Sequence, residues 1–250
     1  MKFQKRSHVS RWMLTSLLLS LFQVSFLQAD EHEVAQLSQL PSGINLPVIL
    51  ETTLSRKNAV VGHPITAVLS QRVLLGNGNY LTRHAKLEGK VVSYDGGKVG
   101  IAFDKIGYKH QIAPIAVSLV AAAWWTDVLE TLRPVGSIDR ATSNPNDWNT
   151  RQIGGDAVYR NAGQGDVYNR YSDLVGFVDA HGVFAAPLSP GAIPLAMGPF
   201  STDSSGLYGM QGFEISSAGG NSTPIVFRLK NSSWQLHAGD ALLLRVAPPQ

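Results

Sequence analysis

From Leu40 to Leu119 the chain is a succession of short runs rich in β-branched residues, each stopped by glycine, asparagine, aspartate or proline. LPSGINLPVILETTL (40–54), HPITAVLSQRVLL (63–75), KLEGKVVSYD (86–95), KVGIAFDKIGY (98–108) and QIAPIAVSL (111–119) follow one another with no helical period between them. Several alternate, as in Val91-Val92-Ser93-Tyr94 and Val99-Gly100-Ile101-Ala102-Phe103, so that one side of each run faces a core. Asp95-Gly96-Gly97 reads as a tight hairpin turn, and Gly76-Asn77-Gly78-Asn79 as a second turn. Short strands at near-regular spacing, separated by turn signals, predict a mainly β chain built as a barrel or sandwich.

The stretch LVAAAWWTDVLETL (119–132) breaks this texture. Alanine-rich, with apolar residues at 121, 124, 125, 128, 129 and 132, it predicts one short amphipathic helix stopped by Arg133-Pro134. Its Trp124-Trp125 pair is expected in the core, because the flanking alanines suit close packing. Residues 136–150 (GSIDRATSNPNDWNT) read as a polar linker with a turn at Asn144-Pro145-Asn146-Asp147. This divides the chain into a β-barrel or sandwich core at 40–135 and a glycine-rich, β-rich second lobe at 151–250, with a closing strand at 241–246.

Two echoes stand out. Gly-Asp-Ala-Val-Tyr-Arg (155–160) resembles Gly-Asp-Val-Tyr (165–168), as the two arms of a hairpin would. LPSGINLPVIL (40–50) and LHAGDALLLRV (236–246) share Leu, Gly and Leu at identical offsets. They are expected to play one role at the two ends of one fold, a turn feeding an opening and a closing strand.

Ahead of this body, Lys2, Lys5, Arg6 and Arg11 precede an apolar stretch from Trp12 to Leu27, and Leu27-Gln28-Ala29 follows as a cleavage box. That is the layout of an export signal over 1–29, implying the periplasm or the extracellular space. The 12–27 stretch is interrupted by Thr15, Ser16, Ser20, Gln23 and Ser25, and is shorter than the roughly 20 apolar residues of a spanning helix. Left uncleaved, it would be an anchor and the chain's one membrane contact. Residues 30–39 read as a disordered N-terminus.

Cleavage changes the charge. The leader carries no acid, so its loss leaves 17 of the 21 Lys and Arg against all 18 Asp and Glu, a net charge of −1. The apparent basicity belongs to the leader, the body shows no basic stripe, and no nucleic-acid partner is expected. The absence of cysteine excludes disulfides and thiolate chemistry, leaving stability to a hydrophobic core.

The usual catalytic signatures are missing. There is no Gly-x-Ser-x-Gly elbow and no phosphate-cradling loop. His32, His63, His84, His110, His181 and His237 are scattered singly, without metal-ligand spacing. No cofactor, metal ligand or catalytic residue is expected. Glu51, Glu88, Asp104 and Glu214 fall in or near strands and could serve a glycan hydrolase only if two of them met across a cleft. Their simpler reading is as solvent-facing strand positions. Trp148, Tyr159, Tyr168, Tyr171, Tyr208 and Trp234 crowd the second half, and of these Trp148 and Tyr208 are the candidate binding residues. As caps on the core ends, these aromatics would have no such role.

The motifs L-P-S-G-x-x-L-P-V-x-L-E-T-x-L-S (40–55), V-G-H-P-I-T-A (61–67), L-E-G-K-V-V (87–92) and G-I-A-F-D-K-I (100–106) resemble the opening strands of TrbI-like proteins. Those are periplasmic β-barrel components of conjugative type IV secretion channels. The resemblance covers about residues 40–118 and implies a fold. Val61-Gly62-His63 departs from its pattern by one residue, and Arg83-His84-Ala85 replaces a glycine turn. Over its whole length the chain is similar to a family of secreted acidobacterial proteins, in W-N-T-R-Q-I-G-G-D-A-V-Y-R (148–160), F-S-T-D-S-S-G-L-Y-G (200–209) and L-L-L-R-V (242–246). That resemblance implies no activity.

The function expected is that of an exported, non-enzymatic envelope or extracellular β-protein that binds or scaffolds. Its partner would be an envelope component or an extracellular ligand. The alternatives are a ring-forming component of a secretion or conjugation apparatus, and a glycan-active hydrolase using the strand carboxylates. Channel barrels have a long proline-rich tether, whereas here about ten residues separate the leader from the first strand.

Overall fold

The computed structural model describes residues 40–76, 79–109, 111–131, 134–135, 149–155, 157–160, 165–169, 174–178, 184–185, 197–201, 204–215 and 224–248. The expected leader at 1–29, the segment 30–39 and most of the expected linker, Trp148 included, lie outside the described residues. Everything described belongs to the compact unit Leu37–Gln250.

In chain order the first strands are β1 (Asn45–Leu50), β2 (Leu54–Ser55), β3 (Pro64–Leu69), β4 (Val73–Gly76), β5 (Asn79–Leu81), β6 (Lys86–Tyr94), β7 (Lys98–Tyr108), β8 (Gln111–Pro114) and β9 (Val117–Ala123). The helix α1 (Trp125–Thr131) comes next. It is followed by β10 (Pro134–Val135), β11 (Asn149–Arg151), β12 (Ala157–Arg160), β13 (Gly165–Asn169), β14 (Leu174–Val178) and β15 (Phe184–Ala185). The last are β16 (Gly206–Tyr208), β17 (Phe213–Ile215), β18 (Ile225–Leu229), β19 (Gln235–Leu236) and β20 (Ala241–Val246). The chain is mainly β, as its runs predict.

One ten-stranded sheet dominates, in the order β16-β9-β20-β1-β3-β6-β7-β18-β17, with β8 also paired to β7. Its ladders are antiparallel except for β16 on β9. Only residues 209–212 separate β16 from β17, so the two ends of the sheet lie one turn apart, although no ladder closes between them. Strands β16, β17, β18 and β20, drawn from 151–250, therefore share one sheet with β1, β3, β6, β7, β8 and β9 from 40–135. The closing strand expected at 241–246 is β20, inserted between β9 and β1. Residues 134–185 supply a separate antiparallel meander, β10 to β15, in which β12 and β13 are the two arms of the echoed segment. Asn149 and Thr150, expected in the linker, belong to β11.

Burial explains which runs alternate. In β3 and β6 buried and open positions alternate, the mark of a strand with one face toward the core. In β1, β9 and β20 almost every residue is buried, because these strands are covered on both faces. Leu46, Val48, Ala122, Leu242 and Leu244 point into the main core. Ala121, Ala123, Ala241 and Leu243 point the other way, into a second cluster with Val128, Ile153, Met197 and Phe200.

This corrects the helix expected at 119–132. Its first half is strand β9, and only Trp125–Thr131 is helical. Alanine favours helix, but Ala121, Ala122 and Ala123 are fully buried between β20 and β16, where small side chains let layers approach on both faces. Tertiary packing overrides propensity here. The tryptophan pair also divides: Trp124 packs on the main core, while Trp125, 38 % exposed, stands edge-on to it.

The echo between 40–50 and 236–246 has a geometric cause. Gly43 N–H donates to Val246 C=O (2.9 Å) and Val246 N–H to Ile44 C=O (2.9 Å). At the equivalent positions Gly239 N–H donates to Leu50 C=O (2.8 Å) and Leu50 N–H to Asp240 C=O (2.9 Å). Strands β1 and β20 are thus related by a local twofold axis, each turn clamping the far end of the other's strand. A second such pair is β3 with β6. Gly62 N–H donates to Val91 C=O (2.8 Å) and Val91 N–H to His63 C=O (2.9 Å), matched by His84 N–H to Leu69 C=O (3.2 Å) and Leu69 N–H to Ala85 C=O (2.9 Å). Every unit reads apolar-x-x-turn residue-x-x-apolar, with Leu40, Ala59, Leu81 and Leu236 buried at its start. The turn residues Gly43, Gly62, His84 and Gly239 all have left-handed φ, from 77° to 103°. Arg83-His84-Ala85 is therefore the glycine turn itself, with a histidine in the glycine's place.

Candidate functional site

At one end of β6 and β7, three strands and two turns form an open cleft of about 410 Å³. That volume lies within the range of small-ligand sites. Arg83 and His84 come from the turn before β6, Lys86 and Glu88 from β6, Lys105 and Tyr108 from β7, Lys109 from the turn into β8, and Gln111 from the start of β8. Lys86, Gly107 and Ile112 are direct cross-strand neighbours, as are Glu88, Lys105 and Pro114 in the next row. Opposed residues share a face, so Gly107 forms a floor between two walls. Ile112 is 71 % exposed on one of them.

The cleft is electropositive. Arg83, Lys86, Lys105 and Lys109 face a single lining acid, Glu88. Lys109 Nζ lies 5.3 Å from the centre of the Tyr108 ring. Elsewhere two exposed acids are matched with cations: Asp104 with Lys90 at 3.8 Å, and Glu214 with Lys230 and Arg228 at 3.0 and 4.0 Å. The Lys230 hydrogen bond, then its charge and that of Arg228, hold the Glu214 carboxyl below its ordinary range. His84 (φ 77°) and Lys109 (φ 45°) are the non-glycine residues with left-handed φ among those described, and both stand on the cleft rim.

Of the strand carboxylates, Glu88 and Asp104 lie on the paired strands β6 and β7, apart from Glu51 and Glu214. Glu51 is exposed just beyond β1, Glu88 and Asp104 lie on the open sides of β6 and β7, and Glu214 is on β17, beyond β18. Only Glu88 lines the cleft. Among the described residues no three His, Asp or Glu side chains stand together as a metal site, and no helix is long and apolar enough to cross a membrane. Tyr208 is half-buried on β16, packs on the second cluster, and accepts the Ser205 N–H on its hydroxyl at 3.2 Å. Trp234 is buried against Tyr94 and Phe213, as a core residue. Tyr159 and Tyr168 are opposed on β12 and β13.

Asp240 is a buried acid with a structural task. Its Oδ1 accepts the Trp125 N–H (2.9 Å) at the start of α1, and its Oδ2 the His237 N–H (2.7 Å) within its own turn. Burial pushes its pKa up, against the pull of those two N–H groups and of His237. It ties α1 to the turn that opens β20.

The cleft is not legible in the sequence, because its cations are contributed by separate strands and turns. The visible signal was the exposed set Lys86, Glu88 and Lys90 on one side of a strand. No protein-family model matches this chain, and no curated protein matches it.

Proposed function

We propose that this chain is an exported, non-enzymatic β-protein of the envelope or extracellular space, and that it works by binding through the cleft between the turn at 82–85 and strand β8. The observation that carries this reading is the concentration of Arg83, Lys86, Lys105 and Lys109 around an open trough beside one acid. Glycan hydrolysis requires two carboxyls facing one bond, and of Glu51, Glu88, Asp104 and Glu214 only Glu88 lines the cleft, which supports binding. The test is to purify the exported protein, mix it with an envelope fraction, and measure both co-sedimentation and release of reducing sugar. Saturable association without turnover is expected. Catalytic turnover, or no association with any envelope or extracellular component, would refute the reading.

A further inference from the structure

Resting on that binding reading, we infer that the cleft is a site for an acidic polysaccharide, a chain carrying carboxylate or phosphate groups. The first support is charge. The body after the leader has a net charge of −1, yet four cations gather on one trough with one acid. Among the described residues, Arg83, Lys86 and Lys105 form no ion pair within 4.0 Å; Arg56, Lys57 and Lys98 form none either, but they do not line the cleft. Positive charge left unmatched on a near-neutral protein is complementary to an anion.

The second support is shape. A Cβ built on Gly107 would meet nothing nearer than the Lys86 carbonyl oxygen at 3.8 Å and the Gln111 carbonyl oxygen at 4.0 Å, and this glycine is not left-handed. The fold has room for a side chain there, and its absence is what opens the trough between Lys86 and Ile112. Cations spread along an open trough match charge repeated along an extended ligand. A compact anion would instead call for an enclosed pocket.

The third is the backbone of the rim. At the positions equivalent to His84 the chain uses Gly43, Gly62 and Gly239. At the cleft it keeps an exposed histidine in a conformation that glycine adopts more cheaply, and strain of this kind gathers at functional positions. The walls favour a glycan over a single-stranded nucleic acid. Ile112 and Pro114 are aliphatic, and Lys109 lies over the Tyr108 ring, so there is no bare aromatic platform for stacking bases.

The test uses the full chain, expressed and purified after export, in affinity electrophoresis through gels of polygalacturonate, a glycerol-phosphate polymer, or neutral dextran, with oligo-dT as competitor. Retardation in one or both anionic gels and not in dextran is expected, the responding polymer identifying carboxylate or phosphate as the recognised group. Lys86→Glu combined with Lys105→Glu should weaken retardation about tenfold, and added salt should weaken it further. Gly107→Val, whose Cβ meets no atom nearer than 3.8 Å, should do the same with an unchanged melting temperature. Failure of the wild type to be retarded in either anionic gel overturns the inference, as does displacement by oligo-dT at equal charge. Retardation unaffected in both variants also overturns it, while leaving a binding role at another surface. Depolymerisation of the gel matrix would refute the non-enzymatic reading and not the placement of the site.

Discussion

His84 offers a direct measurement of what the turn demands. Its φ of 77° places it in the left-handed region, where a non-glycine residue is disfavoured by about 1–2 kcal/mol, with histidine toward the lower end. His84→Gly removes that strain but gives the unfolded chain more freedom, which offsets about 0.4–1 kcal/mol of the gain. The side chain is exposed, so little packing is lost. The net expectation is stabilisation by about 0.5 kcal/mol. Gly62 occupies the equivalent position on β3, with φ 90° and no atom within 4 Å of a built Cβ. Gly62→Ala therefore introduces backbone strain without a steric contact, partly offset by the lost freedom of the unfolded chain, and should destabilise by about 0.5–1 kcal/mol. Urea unfolding with unchanged m-values reads both effects, and 1 kcal/mol corresponds to a melting shift of about 2–4 °C for a chain of this size. If His84→Gly lowered the midpoint, or Gly62→Ala left it unmoved, the equivalence of the two turns would be refuted. His84→Gly should also weaken anionic-glycan binding, so that stability and function move in opposite directions.

Other perturbations probe the frame. Gly89 sits at a bulge in β6 where a Cβ would collide with the Ala102 carbonyl oxygen and the Phe103 Cα, both backbone. Gly89→Ala should destabilise by about 2 kcal/mol or more, and an unchanged denaturation midpoint would contradict this. Trp234 Nε1 is buried without an acceptor, so Trp234→Phe removes an unsatisfied donor along with some volume. Its effect should stay within about 1 kcal/mol in the same assay, and a larger loss would mean that the indole N–H has a partner. Burial raises the Asp240 pKa in the folded state, so its contribution to stability is fully present below the ordinary carboxylate value and is lost as pH rises through the raised one. Asp240→Asn should remove that component, and parallel stability profiles for variant and wild type between pH 3.5 and 7 would refute it. Asp95 behaves oppositely. The N–H groups of Gly97 and Lys98 hold its carboxyl low, so its contribution is present above the ordinary value and is lost as pH falls.

Much of the fold was legible because turns and strand faces are local. Asp95-Gly96-Gly97 joins β6 to β7 as its composition predicts, since a short acid followed by glycines satisfies the turn's own N–H groups. The matched Leu, Gly and Leu of 40–50 and 236–246 signalled a shared role, because a left-handed turn residue and an apolar strand are both written in adjacent positions. What that pattern could not disclose is that the two units clamp each other across the sheet, or that Leu81-Thr82-Arg83-His84 is another copy with its glycine replaced.

By itself, then, the sequence determined a mainly β chain, its turns, and the alternating strands that bury one face. Those properties depend on residues a few positions apart. The tertiary structure decided the rest. LVAAA became a strand because β20 and β16 enclose it on both sides, a fact about residues more than eighty positions away. The C-terminal strands β16, β17, β18 and β20 entered the sheet built by the N-terminal strands. The electropositive cleft exists only because β6, β7 and β8 bring Lys86, Lys105 and the turn at Lys109 side by side around Gly107. Charge adds up over distance in space, and only folding sets that distance.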